Sequence, residues 1–180
     1  GTPYGRNNEW SATSGAGYPN NVTINAGFSV NLGANGGTGT ARQLAGNLQL
    51  DGALYMDFGA NDMTQPLTVL GNLTIGTAGI LSLSDLLGGD LILKGNWTRT
   101  GGGTFNPKGR AVFFQGGTAQ TLTGVTTFDY LNMGKSSNGL TLADDITINN
   151  VLTFSDASNG GSATGGVIDA VTNNKTVTIV

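Results

Sequence analysis

The sequence predicts an all-β protein, a right-handed parallel β-helix (β-solenoid) of roughly six to seven coils with three strands per coil. Glycine accounts for 31 of 180 residues, more than twice its usual share, while charged residues make up only 11%. Short apolar runs recur about every 25 residues, a period typical of solenoids. Tight turns between short strands explain the glycine content, and stacking of coils explains the period.

The repeating unit is clearest in residues 71–83, where two alternating apolar runs flank a glycine-rich turn. Its opening returns at Gly46-Asn47 and Gly95-Asn96, so the shared asparagines recur about every 24 or 25 residues. Residues 1–19 lack sustained periodicity and are predicted to be an N-terminal lead-in or cap. Residues 20–180 are predicted to be the repeat domain, as a segment of a longer chain.

Three columns of apolar residues are predicted to face the interior, because residues two apart on a strand share a face. Column one contains Val22, Leu48, Leu73, Trp97, Leu122 and Ile146. Column two contains Phe28, Leu54, Leu81, Phe105, Leu131 and Leu152. Column three contains Leu44, Leu67, Leu91, Val112, Leu140 and Ile168. We therefore expect Leu73 between Leu48 and Trp97, and Leu81 between Leu54 and Phe105.

A β-sandwich is the alternative architecture, since it also has short strands and glycine-rich turns. It does not require a repeating three-strand unit, and the observed period therefore favours the solenoid. A helical fold is not predicted, because the one stretch with helical periodicity, residues 77–87, is interrupted by Gly79.

Composition excludes several classes of function. The net charge is −3 and the eight Lys and Arg residues are scattered, which argues against nucleic-acid binding. The chain contains no histidine and no cysteine, so the commonest general base, metal ligand and thiol nucleophile are missing. No apolar run reaches the length of a membrane span. We expect a protein that is not an enzyme and needs no cofactor or metal.

Carboxylates remain as candidates for chemistry. Asp144-Asp145 is the one adjacent acidic pair, and paired carboxylates can hydrolyse glycosides. Adjacent strand residues point to opposite faces, however, so we expect a solvated corner. Asp57, Asn61 and Asp62 supply oxygen ligands that suit calcium but match no calcium-loop spacing, and a solvated loop is expected there.

Asparagine and threonine patterns also have two interpretations. Glycosylation sequons begin at Asn21, Asn72, Asn96 and Asn174. The first three, together with Asn47, directly precede column one, so we predict a ladder of stacked asparagines at one corner. Thr-x-Thr pairs such as Thr121/Thr123 resemble the flat arrays of ice-binding solenoids, but we do not expect them to repeat in register.

Carbohydrate binding or degradation is the alternative function. It would use Trp10, Tyr55 or Tyr130 as ligand-contacting aromatic side chains, exposed beside Asp57 or Asp129 in a groove.

The middle of the chain carries a family resemblance. Five motifs follow in order: Gly95-Asn96-Trp97-Thr98, residues 103–107, residues 111–116, residues 119–124 and residues 127–131. This order resembles the repeats of large secreted surface proteins of Bacteroidetes, which are similar to adhesins exported by the type IX secretion system. The likeness extends from about residue 19 to residue 180, with departures at Arg99-Thr100 and in an insertion at 155–166. It implies an extracellular repeat segment.

Together these observations predict a non-enzymatic structural or adhesive module, acting as a stalk or filament segment of a secreted cell-surface protein. The expected partners are neighbouring repeats of the same chain or end-to-end copies, with surface glycans or proteins as further candidates. The final residues, 175–180, have a strand pattern without a polar cap, and an uncapped solenoid end invites another coil.

Overall fold

The protein is a parallel β-solenoid of about six turns, so the predicted fold class is confirmed. A computed structural model describes residues 4–5, 10, 14–15, 17–156, 161–162 and 166–180. Three parallel sheets run along the solenoid and are called the first, second and third sheet below. One 3-10 helix, Ala34–Gly39, lies in the loop between two of them.

The strands within the described residues are short and stack coil upon coil. The first sheet consists of Tyr4–Gly5, Ser29–Asn31, Ala53–Tyr55, Ile80–Ser82 and Thr104–Asn106. The second consists of Val22–Ile24, Leu48–Leu50, Leu73–Ile75, Trp97–Arg99, Gln120–Thr123, Leu140–Leu142 and Ile168–Asp169. The third consists of Arg42–Leu44, Leu67–Val69, Leu91–Leu93, Ala111–Gly116, Thr126–Lys135, Ile146–Thr153 and Val177–Ile179. Two antiparallel pairs join Asp57–Phe58 to Asn61–Asp62 and Ser155–Asp156 to Gly161–Ser162.

Side chains alternate along a strand. In most three-residue strands of the second and third sheets the outer two side chains face inward, whereas in the first sheet the central one faces inward, as Leu81 does in Ile80–Ser82. Leu73 and Ile75 are fully buried while Thr74 between them is partly exposed. Leu73 pairs with Leu48 on one side and Trp97 on the other. Both predicted neighbours of Leu73 are therefore confirmed.

The same register holds in the first sheet, where Leu81 pairs with Leu54 and with Phe105 as predicted. In the third sheet Leu91 pairs with Leu67 and Val112. Each buried leucine contributes about 1.5–3 kcal/mol through removal of its apolar surface from water. The stacked columns thus provide the main stabilising contribution of the fold.

An aromatic cluster fills the interior where the columns meet. The Trp97 ring lies 4.9 Å from Phe105 and 5.3 Å from Phe128 in edge-on arrangements. Phe128 also approaches Phe114, with 6.4 Å between the ring centroids. Such pairs add about 0.5–1.5 kcal/mol beyond burial.

The start of column two was predicted two residues too early. Phe28 is 69% exposed, and Val30 takes the interior position opposite Leu54. The reason is a turn before the strand, in which the Phe28 N–H bonds to the Asn25 carbonyl and Gly27 has a φ of +83°. Positive φ favours glycine, and this turn delays the strand.

Predicted column two does not continue past Phe105, because the first sheet ends at Asn106 within the described residues. Val112 and Leu122 still take their predicted places beside Leu91 and Trp97. The ten-residue strand Thr126–Lys135 runs through the next corner, and its Phe128 lies 5.7 Å from Phe105. A single long strand thereby replaces two short strands and the turn between them. Coils in this part of the chain are built from the second and third sheets.

Assignments that assumed three separate strands are wrong in the last coils. Ile146 lies in the third sheet opposite Thr126. Leu142 occupies the position beside Leu122 that was predicted for Ile146. Leu131 and Leu152 pair with each other in the third sheet rather than the first. Leu140 and Ile168 pair in the second sheet rather than the third. Leu44 lies in the same sheet as Leu67 and Leu91, as predicted. It pairs with Val69, however, because Arg42 takes the place opposite Leu67.

Part of the predicted lead-in, residues 1–19, belongs to the solenoid. Tyr4–Gly5 pairs with Val30 and Asn31, and Trp10 joins the hydrophobic core. The buried Arg42 guanidinium donates to the carbonyls of Trp10 and Leu32. Burial lowers the pKa of Arg42 from its usual value.

Candidate functional site

A ladder of asparagine side chains runs along one corner of the solenoid, beside the second sheet. The Asn21 side-chain carbonyl accepts the Asn47 backbone N–H at 2.7 Å, and Asn47 accepts that of Asn72 at 2.8 Å. Asn72 accepts from Asn96 at 2.8 Å, and Asn96 accepts from Thr121 at 2.9 Å. The predicted asparagine ladder is confirmed, and it links side chain to backbone.

The glycine before three of these asparagines permits the close approach of the coils. A Cβ atom on Gly71 would lie 2.5 Å from the backbone of Gly46, and one on Gly95 would lie 2.3 Å from the Gly71 carbonyl oxygen. Such distances are too short for any side chain. The repeated Gly-Asn pair is therefore one structural device, in which glycine allows contact and asparagine bonds across it.

A shallow groove on the outside of the second sheet follows the ladder over three coils. It is lined by Asn21, Val22, Thr23, Asn47, Leu48, Gln49, Asn72 and Thr74. Thr23, Gln49 and Thr74 lie in register, and each is more exposed than the apolar residues on either side of it, so their polar groups face outward. Gln49 is oriented by a 2.8 Å hydrogen bond from its amide nitrogen to Asp51. The groove was not predicted, although the outward position of Gln49 between two threonines was a signal for it.

Each groove asparagine keeps its amide nitrogen for other partners. Asn21, Asn47 and Asn72 are exposed, and their carbonyl oxygens are occupied by the ladder. Within the part of the chain that the structure describes, no acceptor binds their Nδ2 atoms. The corner therefore presents a row of oriented N–H donors.

Single threonines of the second sheet align across coils, although the Thr121/Thr123 pair does not stack on another Thr-x-Thr pair, as expected. Thr74 pairs with Thr98, and Thr98 pairs with Thr123. Thr121 pairs with Thr141 in the next coil. The sequence spacing obscured this alignment because strand Gln120–Thr123 is one residue longer than its neighbours.

The adjacent carboxylates Asp144 and Asp145 bond to coils on opposite sides. Asp144 accepts the Gly124 N–H at 2.7 Å, whereas Asp145 accepts the Thr176 N–H at 2.8 Å. Their carboxylates thus bond in opposite directions along the solenoid. They form the predicted corner and help to join three coils.

The candidate calcium residues form a small hairpin. Asp57 pairs with Asp62, and Phe58 pairs with Asn61. An Asp57 oxygen accepts from the Ser82 hydroxyl at 2.9 Å and lies 3.0 Å from the Lys108 ammonium. The hydrogen bond that the Lys108 ammonium donates to Asp57 raises the pKa of Lys108. No group of three or more acidic, histidine or cysteine residues suited to a metal occurs among the described residues.

The three aromatic candidates are separated by the structure. Trp10 is only 4% exposed and donates its indole N–H to the Gln43 carbonyl, so it lacks the exposure that the carbohydrate-binding alternative requires. Its large apolar ring packs with the core instead. Tyr55 is half-buried and packs against Phe58 with ring centroids 5.4 Å apart.

Tyr130 is 38% exposed on the outside of the third sheet. The neighbouring Asp129 accepts from the Gly109 N–H at 2.6 Å and from the Asn149 amide at 2.8 Å. Because both oxygens of Asp129 already accept hydrogen bonds, this carboxylate acts as a link between coils.

A buried polar pair inside the solenoid was missed by the sequence patterns. Lys135 is fully buried and donates to the Thr118 carbonyl at 2.9 Å and the Gln120 side-chain carbonyl at 2.5 Å. Burial lowers the pKa of Lys135 from its usual value. The signal was the position of Lys135, which continues the inward alternation of Leu131 and Met133.

The fold and the laddered corner define the protein as a β-solenoid. No protein-family model matches the chain, and neither a curated protein nor a solved structure is significantly similar to it. The resemblance to Bacteroidetes surface repeats therefore stays a prediction. No helix in the described ranges combines the length and apolarity that crossing a membrane would require.

Proposed function

We propose that the chain is a non-enzymatic structural or adhesive module, serving as a stalk segment of a secreted cell-surface protein. The observation that carries this proposal is the unbroken parallel pairing of coils. In the second sheet, pairing continues through seven strands from Val22–Ile24 to Ile168–Asp169. A fold of this kind lengthens by adding coils, because each coil contacts only its neighbours.

Coil-to-coil bonding supports a mechanical role. Ladder hydrogen bonds in two or three sheets join each coil to the next, and they lie along the direction in which a stalk is pulled. The asparagine corner adds a fourth line of bonds between Asn21 and Thr121. Asp144 and Asp145 add side-chain bonds between the last coils, one to the preceding coil and one to the following coil. A load along the axis would be shared among these lines.

The extracellular setting rests on the resemblance of residues 95–131 to secreted surface repeats. It is tested on the cells that produce the protein. We expect an antibody against the chain to label intact cells, and mild protease treatment of those cells to remove the label. Deletion of the gene should reduce attachment to surfaces.

A chain found only in the cytosolic fraction would contradict the surface location. Hydrolysis of a polysaccharide by the purified chain would contradict the non-enzymatic role. Single-molecule stretching supplies a separate test, because a stalk should unfold coil by coil at a repeating extension.

A further inference from the structure

We propose that the groove on the second sheet binds an extended, neutral, linear polysaccharide, with the sugar chain running along the solenoid axis. This inference goes beyond the stalk role, which would stand without it. It rests on the groove residues and on the orientation of the asparagine ladder, and it uses none of the three aromatic residues considered above.

The groove offers donors and acceptors in repeating sets. Each asparagine carbonyl is bound by the backbone N–H of the following coil, so the planar amide is fixed and its NH₂ group is presented outward. Beside these amides lie the hydroxyls of Thr23 and Thr74 and the free carbonyl oxygen of Gln49, whose amide nitrogen is held by Asp51. Sugar hydroxyls both donate and accept, and they match this mixed set.

The spacing of the donors selects an extended polymer with a short repeat. Coils stack about 4.8 Å apart, so amides on successive coils recur at that interval. An extended peptide along the axis would present groups of one face only every two residues, roughly 6.6 Å apart. In an extended β-1,4-linked pyranose chain successive rings turn opposite faces to one side, so like faces recur at every second ring, a distance close to two coil spacings of about 4.8 Å. Donors two coils apart, such as Asn21 and Asn72, would therefore meet the same face of the sugar chain.

Charge selects a neutral ligand. No Lys, Arg, Asp or Glu lines the groove, and the nearest carboxylate, Asp51, already accepts from Gln49. The whole chain carries a net charge of −3, which would repel sulfated or uronic acid polymers. The amide and hydroxyl groups require no counter-charge and suit neutral hydroxyl groups.

The test measures binding of the full 180-residue chain to extended neutral oligosaccharides by isothermal titration calorimetry. The probes are the β-1,4-linked hexasaccharides of glucose, mannose, xylose and N-acetylglucosamine. We expect saturable binding to at least one probe, with a Kd on the order of 0.1 to 1 mM. The α-1,4-linked glucose hexasaccharide is the control, because it is made of the same sugar as the first probe but coils.

The variant Asn47→Asp separates ligand binding from folding. Aspartate keeps the oxygen that accepts the Asn72 N–H but replaces the NH₂ donor with an acceptor, so affinity should fall about tenfold. Asn96→Asp is the matched control, since Asn96 occupies the same ladder but lies outside the groove lining. Its affinity should equal that of the unchanged chain.

Three results would overturn the proposal: no binding to any probe at about 10 mM, equal binding to the coiled α-linked control, or equal losses in the two variants. Stronger binding of uronic acid oligomers than of neutral ones would overturn the neutral ligand class. None of these results bears on surface labelling or on coil-by-coil unfolding, so failure here is distinguishable from failure of the stalk role.

Discussion

The Asn72 side-chain oxygen lies 2.8 Å from the Asn96 backbone nitrogen, one coil away, and closes a hydrogen bond that ordinary strand pairing leaves open. The same geometry occurs at Asn21, Asn47 and Asn96. The corner of the solenoid is thereby joined as regularly as its sheets.

Removal of one ladder side chain should destabilise the fold by a measurable amount. For Asn72→Ala we expect a loss of about 0.5–2 kcal/mol in the free energy of unfolding, because the Asn96 N–H loses its partner. Asn150→Ala is the control, since Asn150 is exposed and its side chain has no hydrogen bond within the described residues. Urea titration followed by circular dichroism measures both. Equal stabilities of the two variants would contradict a bonding role for the ladder.

Glycines at different corners of the solenoid should differ sharply in their tolerance of alanine. Gly71→Ala places a Cβ 2.5 Å from the Gly46 backbone, and we expect a loss of more than about 2 kcal/mol or failure to fold. A Cβ on Gly101 meets no atom within 4 Å, and Gly101 does not require positive φ. Gly101→Ala should therefore be neutral or stabilising by up to about 1 kcal/mol. Thermal melting compares the two variants, and a stable Gly71→Ala protein would argue against close coil contact.

Truncation of a central core residue should be costly whereas its outward neighbour should tolerate change. Leu73 is fully buried between Leu48 and Trp97, so Leu73→Ala should lower the free energy of unfolding by about 2–5 kcal/mol. Thr74→Ala, one residue further on the outer face, should change it by less than about 1 kcal/mol. Both values come from urea titration. A larger loss for Thr74→Ala than for Leu73→Ala would mean that Thr74 and not Leu73 faces the interior.

The buried Lys135 should make stability depend on pH in alkaline solution. Burial lowers the pKa of Lys135 below its usual 10.5, so the unfolded chain holds the lysine proton more tightly than the folded protein. The free energy of unfolding should therefore rise with pH between the folded pKa and 10.5. Replacement by methionine, Lys135→Met, should remove this rise.

The measurement is urea titration at several pH values from about 8 to 10. Lys94→Met, at an exposed lysine, is the control and should keep the slope of the unchanged chain. Lys108 acts in the opposite sense: its pKa is raised, and its stabilising contribution is lost as pH rises through the folded value above 10.5. An unchanged slope in Lys135→Met would contradict the effect of burial.

Much of the first four coils could be predicted from sequence, because their strands are short and three residues always separate a strand of the third sheet from the next strand of the second. Phe28 and Leu44 were the exceptions. The asparagine ladder was also predictable, since Asn47, Asn72 and Asn96 precede the same column. The later coils could not be predicted in this way, because Thr126–Lys135 joins two strands without a turn signal. Because the chain makes no turn at that corner, each later column residue lies in a different sheet from the one predicted for it.

The buried charged residues and the groove could not be predicted, because a sequence pattern assigns charged side chains to the outside of a fold. Arg42 and Lys135 are buried, and their charged groups donate hydrogen bonds to carbonyl oxygens. No acidic residue close to either one in the sequence indicates that it is buried. The groove depends on which outward residues become neighbours across coils. This information appears only when the register is known, and the alignment of Gln49 with Thr23 and Thr74 is an example.

The hairpin of residues 57–62 leaves and rejoins the solenoid at two buried methionines. The Met63 N–H bonds to the Met56 carbonyl at 2.8 Å, which closes the base of the excursion. A longer loop between Met56 and Met63 should therefore change the stability of the coil beneath it very little, since lengthening a closed loop adds little entropic cost. The tip at Gly59 is thus a natural place to insert a foreign peptide, and such a graft would be displayed on a rigid support without altering the register of any strand.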